Sequence, residues 1–573
     1  MSRSERSGAE LICEALKEAG ISCVFGLPGT QNVELYEALR GEGLRTIVAT
    51  HELSASMMAN GHYRASGRIA ALATIPGPGF TWAMTGLAEA FLDSAALLHV
   101  VGQPAKGPGA RFQLQAIDQA AIAGPVVKRI YTVDSPGEVK ARLRAAVVEA
   151  ASGEPGPVLL HVSRAALVGR AGAEDAVPAA PAARSPDASM LAEIAALLSS
   201  SRRVVIFAGQ GAHEASAGVQ RLAERLGAAV VTSTSGRGVV SEDHPLSLGF
   251  ELGGTGATTL NALIDESDVV LAIGCKFSHN ASRGFRLRIP REKLVHVDAS
   301  PQTLGANYEA RLALECEAGA FVGELLHLLG PDETHREGFP AADLDRLRRL
   351  GRAEALAEHV EPRIHGVSGA SAEAFFTALR SAMPRDALLV TDSGLHQVLA
   401  RRYFRVLHPR GFMTPTNLQS MGFAVGAAIG ACVAEPTRNV VALIGDGGFM
   451  MSGLELLVAM RERLRLTVVV FVDGAYGLIR TQQLELSGRT YGTEFDAPDI
   501  AGFAAAIGAD HLRLEDGVDA EGLFRAALAS ERVTIVEVAV GDSLPMHWMR
   551  AKAAARTLVR PAAKTLLRTF RRR

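Results

Sequence analysis

The sequence predicts an α/β protein of three doubly wound parallel-sheet domains, and three observations carry that expectation. Apolar, β-branched runs at residues 204–208, 441–444 and 467–472 end in glycine or aspartate turns, as strands buried on both faces do. Two stretches interrupt the compact α/β text: residues 172–189, rich in Ala, Pro and Asp, and residues 331–369, polar with a helical Arg/Leu/Glu segment. The length of 573 residues suggests about three domains of ordinary size. The expected units are residues 1–171, 190–330 and 370–546, followed by a basic tail at 547–573.

Composition narrows the function. A formal net charge of −2 with 21% charged residues gives no case for nucleic acid or a polyanionic partner. Cys13, Cys23, Cys275, Cys316 and Cys432 are few, scattered and without metal-ligand spacing, which fits buried thiols in a reducing compartment. The first ten residues are polar and lack a signal-peptide apolar region, and no apolar run is long enough to span a bilayer. These features predict a cytoplasmic enzyme.

In the first domain, residues 11–24 run into the turn Phe25-Gly26-Leu27-Pro28-Gly29, and Thr50-His51-Glu52 heads a helix-like run to Ser66. Thr50 reads as an N-cap, with Glu52 complementing the helix dipole in the first turn. A glycine-rich turn, Pro76-Gly77-Pro78-Gly79, and the pair Asp93-Ser94 follow, and then Gln115 in Leu114-Gln115-Ala116-Ile117-Asp118. The middle domain opens with an apolar strand leading into Gly209-Gln210-Gly211, weak evidence by itself for a dinucleotide site.

The last domain is the most explicit. One apolar run ends in Gly445-Asp446-Gly447, and another, residues 467–472, ends in Asp473-Gly474-Ala475; the aspartates are 27 positions apart. Leu454, Leu457, Val458 and Leu464 recur between them at helical spacing, so the segment reads as strand, helix, strand. Both carboxylates then lie at the carboxyl ends of parallel strands, where such sheets bind ligands. Glycines let backbone N–H groups approach a phosphate, and two hard oxygen ligands suit Mg²⁺ shared with phosphate oxygens. This predicts a metal-bridged diphosphate site; the plainer reading of Gly-Asp-Gly is a turn.

These residues together resemble the thiamine diphosphate enzymes of the acetolactate synthase type over nearly all of residues 7–545. The resemblance implies a pyrimidine-binding first domain, a Rossmann-like centre and a diphosphate-binding last domain. It implies Glu52 as the catalytic partner of the cofactor's aminopyrimidine and Gln115 as a second catalytic residue near the reacting centre. Pro28, Gly394, His396, Gln419, Met421, Gly445, Asp446, Gly447, Gly448, Asp473 and Ala475 are implied as cofactor-binding, with Asp446, Asp473 and Ala475 holding Mg²⁺. Asp473 stands where the family has Asn, and Gln419 where it has Gly. Met421 matches the residue that props the cofactor in its bent form.

The resemblance further implies a homodimer or homotetramer with sites between chains, and 2-keto acid and carbonyl substrates, pyruvate most simply. The missing Asp-Asp-Arg wording after Phe277 argues against obligatory FAD, which stays open. Alternatives are a non-ligating 2-keto acid decarboxylase or other lyase, and a silent homologue acting as a scaffold. The tail carries nine Lys or Arg and no acid; a helix that is solvated or covers the site is preferred there over one lying on an anionic membrane surface.

Overall fold

Three largely parallel sheets carry the chain, and in each the polypeptide winds outward in both directions from an interior strand. The computed structural model describes residues 5–104, 112–172, 186–250, 252, 257–330, 338–358 and 362–541. The basic tail and most of the 172–189 linker lie outside the described residues.

The first sheet runs, edge to edge, Arg45–Val48, Cys23–Gly26, Ala70–Thr74, Leu97–Gly102, Pro157–Val162 and Arg129–Val133, every neighbouring pair parallel. Ala70–Thr74 is buried along its whole length, which suits a strand covered by helices on both faces. Arg6–Ser7 pairs antiparallel with Arg170–Ala171 and ties the two ends of this unit together.

The central sheet has the order Ser247–Gly249, Ala229–Thr232, Val204–Ala208, Val269–Ile273, Leu294–Asp298, Leu312–Glu315, again parallel throughout. Counted within the domain that order is 3-2-1-4-5-6, the doubly wound dinucleotide-fold arrangement. The third sheet passes from Thr534–Gly541 through Thr467–Val472, Val440–Gly445 and Leu388–Thr391 to Phe412–Met413. Asp510–Leu514 and the antiparallel Arg363–Ile364 both pair with Thr534–Gly541.

First and last domains meet through two helices, Glu52–Ser66 and Phe423–Ala434. All of Phe423–Ala434 is buried, and its small residues let the backbones touch. A Cβ on Gly430 would lie 1.9 Å from the Met58 carbonyl oxygen, and one on Gly61 would lie 2.1 Å from that of Ala427.

The segment after Gly445 differs from the expected single helix. A helix begins at Asp446 itself and runs to Ser452, a 3₁₀ turn covers Gly453–Glu455, and a second helix spans Leu456–Arg461. Its buried face is Leu456, Val458 and Ala459, while Leu454 and Leu457 are 64% and 43% exposed. The 3₁₀ turn rotates the register, so the spacing marks a helix without telling which side meets the core.

Candidate functional site

Asp446 organises the last domain's site. It follows the strand Val440–Gly445 directly and is fully buried. Its Oδ1 accepts the Gly447 amide at 2.8 Å, and its Oδ2 accepts the amides of Asp473 and Gly474 at 3.0 and 2.7 Å. Two turns 27 positions apart are thereby locked into one cradle. Burial pushes the Asp446 carboxyl up, and the three backbone N–H donors oppose that. Asp473 is paired with Arg480 at 3.3 Å, one helical turn into Gly477–Ser487.

A cleft of about 100 Å³ opens above this cradle. Ser393, Gly394, His396, Met421, Gly445, Gly447, Gly448, Asp473 and Ala475 all line it. An isolated bridge from Ala475 to Glu494 holds the backbone there. Glycine is required at the cleft floor: a Cβ on Gly448 would lie 2.2 Å from Asp392 Oδ2, and one on Gly447 would lie 2.7 Å from the Tyr476 ring. His396 is buried, its Nε2 has no hydrogen-bond partner, and burial pushes its pKa down to about 4. It is a neutral imidazole with one unspent polar atom, which suits a phosphate oxygen.

Gln419 lies beside this cleft with φ +66, the left-handed region that favours glycine. Its side chain folds back on its own loop: Nε2 donates to the Thr416 carbonyl at 2.6 Å, and Oε1 accepts from Ser393 Oγ at 3.4 Å. That is where the longer side chain finds room.

The first-domain residues form a second cluster. Glu52 opens the helix Glu52–Ser66, and the N-cap is His51, whose Nδ1 accepts the Leu53 amide; it is not Thr50. Thr50 is held by Glu455 from the last domain, its amide donating to Oε1 at 2.7 Å. A Cβ on Gly79 would lie 2.9 Å from Glu52 Oε1, and one on Gly77 would lie 2.9 Å from the Gln115 Cβ. The Pro76–Gly79 turn therefore separates and spaces Glu52 and Gln115. Gln115 too has a positive φ, +60, and its buried Oε1 has no hydrogen-bond partner. Pro28 stands in the neighbouring turn, where Asn32 Oδ1 accepts the Gly29 amide. Neither Glu52, Gln115 nor Pro28 lines the Asp446 cleft of the same chain.

Four further residues escape a reading by motif. Asp392 is fully buried and accepts the Gly422 and Phe423 amides, fixing the start of the helix after Met421. Burial raises its carboxyl to about 6. Glu455 and Arg480 hold Thr50 and Asp473, and Glu89 accepts the Ser420 amide at 3.0 Å. Asp392, Glu455 and Glu89 act on amides far away in sequence, and Arg480, though one turn into the helix after Asp473, has no motif of its own to mark it. Among the described residues no group of three or more His, Cys, Asp or Glu side chains surrounds a metal position. Any cation here would share two carboxylates with backbone and ligand oxygens.

Family models match three consecutive stretches: the thiamine pyrophosphate enzyme N-terminal TPP binding domain at residues 6–122, the central domain at 191–325 and the C-terminal TPP binding domain at 392–538. The chain is 29% identical over 560 residues to a probable acetolactate synthase large subunit of Methanocaldococcus jannaschii, covering 94% of this chain and 93% of the relative. It is 30% identical to an acetolactate synthase large subunit of Parasynechococcus marenigrum, covering 93% and 87%. To a probable 2-ketoarginine decarboxylase of Pseudomonas aeruginosa it is 31% identical, covering 93% and 94%.

Proposed function

This chain belongs to the thiamine pyrophosphate enzyme family, as an acetolactate synthase-like enzyme, and from that premise we propose that it decarboxylates a 2-keto acid, pyruvate most simply, and joins the remaining acyl unit to a second carbonyl compound. The observation that carries the reading is the Asp446 cradle, in which one buried carboxylate locks the Gly-Asp-Gly turn to the Asp473 turn under an imidazole with a free nitrogen.

Thiamine diphosphate, when bound, supplies the electron sink for loss of carbon dioxide. Asp446, Asp473 and the Ala475 backbone would hold Mg²⁺ against its diphosphate, with Gly394, Gly445, Gly447, Gly448 and His396 facing the phosphates. Met421 and the Gln419 backbone would orient the ring system, and Pro28 would flank it. Glu52 would share a proton with the ring nitrogen of the aminopyrimidine. Gln115, with its unspent Oε1, would orient donor or acceptor.

Two copies are needed in this reading, because the Glu52 cluster and the Asp446 cleft share no lining within one chain. Exposed Trp82, Phe112 and Leu114 on the first domain, and Met450, Met451 and Leu454 on the last, provide apolar surface for such pairing. Against obligatory FAD stands Lys276, which spans the crevice at the carboxyl ends of the central strands to the Leu92 carbonyl, Ser94 and Glu154; FAD itself stays open. Five buried, free cysteines support a reducing, cytoplasmic setting.

The test is product analysis with thiamine diphosphate, Mg²⁺ and pyruvate. Acetolactate supports carboligation. Acetaldehyde alone would move the assignment to the second reading, a 2-keto acid decarboxylase, which the similarity to the 2-ketoarginine decarboxylase favours. 2-Ketoarginine is therefore the second substrate to offer. Failure to bind cofactor would leave the scaffold reading.

A further inference from the structure

Glu89 is a carboxyl group in the wrong place for a charge. It lies on the helix Pro78–Leu92 with none of its surface exposed. Its Oε2 accepts the Ser420 amide at 3.0 Å, while Oε1 meets no hydrogen-bond donor. What Glu89 faces is Asp93, one helical turn on and only 2% exposed. Asp93 is already committed as an anion: Oδ2 accepts from Arg64 and from the Thr416 amide, each at 3.0 Å, and Oδ1 accepts the Asn417 amide at 3.3 Å. Two adjacent buried carboxylates with one guanidinium, which pairs with Asp93 alone, are unfavourable, and a single proton resolves the conflict. Burial first, and Asp93 second, push the Glu89 carboxyl up to about 8. A proton on Glu89 serves both groups, since the neutral carboxyl can then donate to the neighbouring Asp93.

The pair grips one loop. Three backbone N–H groups of residues 416–421 end on Glu89 and Asp93, and that loop carries Gln419 and Met421 on either side of Ser420. Met421 lines the Asp446 cleft. We propose that Glu89 is a positioning residue for the cofactor: as a carboxylic acid donating to Asp93, it locks residues 416–421 and sets the place of Met421 in the cleft. This rests on the cofactor reading given above. The charged groups facing Glu89 are Asp93 on its own helix and Arg64 on the helix Glu52–Ser66, and the loop presents Ser420.

The experiment uses the full-length protein with thiamine diphosphate and Mg²⁺, titrating cofactor affinity from pH 6.5 to 9.5 in wild type, Glu89→Gln and Glu89→Leu. Glutamine reproduces the protonated acid, accepting from Ser420 and donating to Asp93. Wild type loses about tenfold in affinity for each pH unit above the Glu89 pKa, because only the acid form holds the loop. Glu89→Gln keeps the neutral-pH affinity and has no alkaline limb, whereas Glu89→Leu is weak at every pH.

Parallel alkaline limbs in wild type and Glu89→Gln, or unchanged binding in Glu89→Leu, overturn the proposal. Melting of the cofactor-free protein tests the acid pair separately. The folded pKa lies above the unfolded one, so wild type loses stability relative to Glu89→Gln as pH rises from about 4.5 to about 8 and then levels off. Identical slopes overturn the shared proton. Absence of cofactor binding in wild type, with that melting difference intact, sinks the cofactor reading and with it the positioning role.

Discussion

Glu455 holds Thr50 at both of its polar groups, its Oε1 accepting the Thr50 amide at 2.7 Å and its Oε2 the hydroxyl, across 405 residues of sequence. The contact joins the turn before Glu52 to the segment that follows Gly445-Asp446-Gly447. Glu455→Ala leaves a part-buried amide without its acceptor and removes two hydrogen bonds to a charged group, a loss of about 3 kcal/mol. The expected outcome is a lower urea midpoint and a fall in turnover. Glu455→Gln, which keeps one acceptor oxygen, is expected to recover part of both.

Asp473 brings a charge where the family has Asn, and Arg480 cancels it. If Asp473 helps hold the diphosphate as proposed, removing the guanidinium leaves an uncompensated carboxylate beside the phosphates. Arg480→Ala is therefore expected to weaken thiamine diphosphate binding about tenfold, equivalent to about 1.4 kcal/mol. Asp473→Asn in the same background is expected to restore it. Titration of cofactor at fixed Mg²⁺ checks both, and a double variant no tighter than the single one would refute charge compensation.

The helix crossing tolerates no side chain. Gly430→Ala puts a methyl against the Met58 carbonyl oxygen, backbone that cannot rotate away. Destabilisation of about 3 kcal/mol or more is expected from such overpacking. The nearby Ala431→Gly change, which clashes with nothing, is expected to lose only about 1 kcal/mol. Thermal melting distinguishes them.

Four histidines predict the acid limb of stability. Burial holds His62 and His396 at about 4 and His99 and His213 at about 3. Below pH 6.5 the unfolded chain binds protons that the folded chain refuses, so stability falls as pH drops from about 6.5 toward 4. Each histidine contributes up to about 1.4 kcal/mol per pH unit. His213→Gln is expected to make the limb shallower, read from melting temperature between pH 4 and 7.

Local features were the ones legible in the sequence. Asp446 and Asp473 each end an apolar run, so the run itself places them at strand ends. Glu455, Glu89 and Asp392 are not legible, because they act on amides 405, 331 and 30 residues away, and a lone carboxylate in a helical stretch, as Glu89 and Glu455 are, looks like a solvated one. Nor does glutamine announce a left-handed φ, as at Gln115 and Gln419. The spacing of Leu454, Leu457, Val458 and Leu464 indicates a helix, yet Val458 and Leu464 are buried while Leu454 and Leu457 are exposed, since periodicity says which residues share a side and not what that side meets.

The separation of the Glu52 cluster from the Asp446 cleft has a genetic consequence. A chain carrying Glu52→Gln and a chain carrying Asp446→Ala are each expected to be inactive alone, and each retains the half that the other lacks. Co-expressed, they would assemble mixed pairs in which one of the two sites is built wholly from intact halves. Two null alleles would then complement each other within a single gene, while two defects placed in the same half would not.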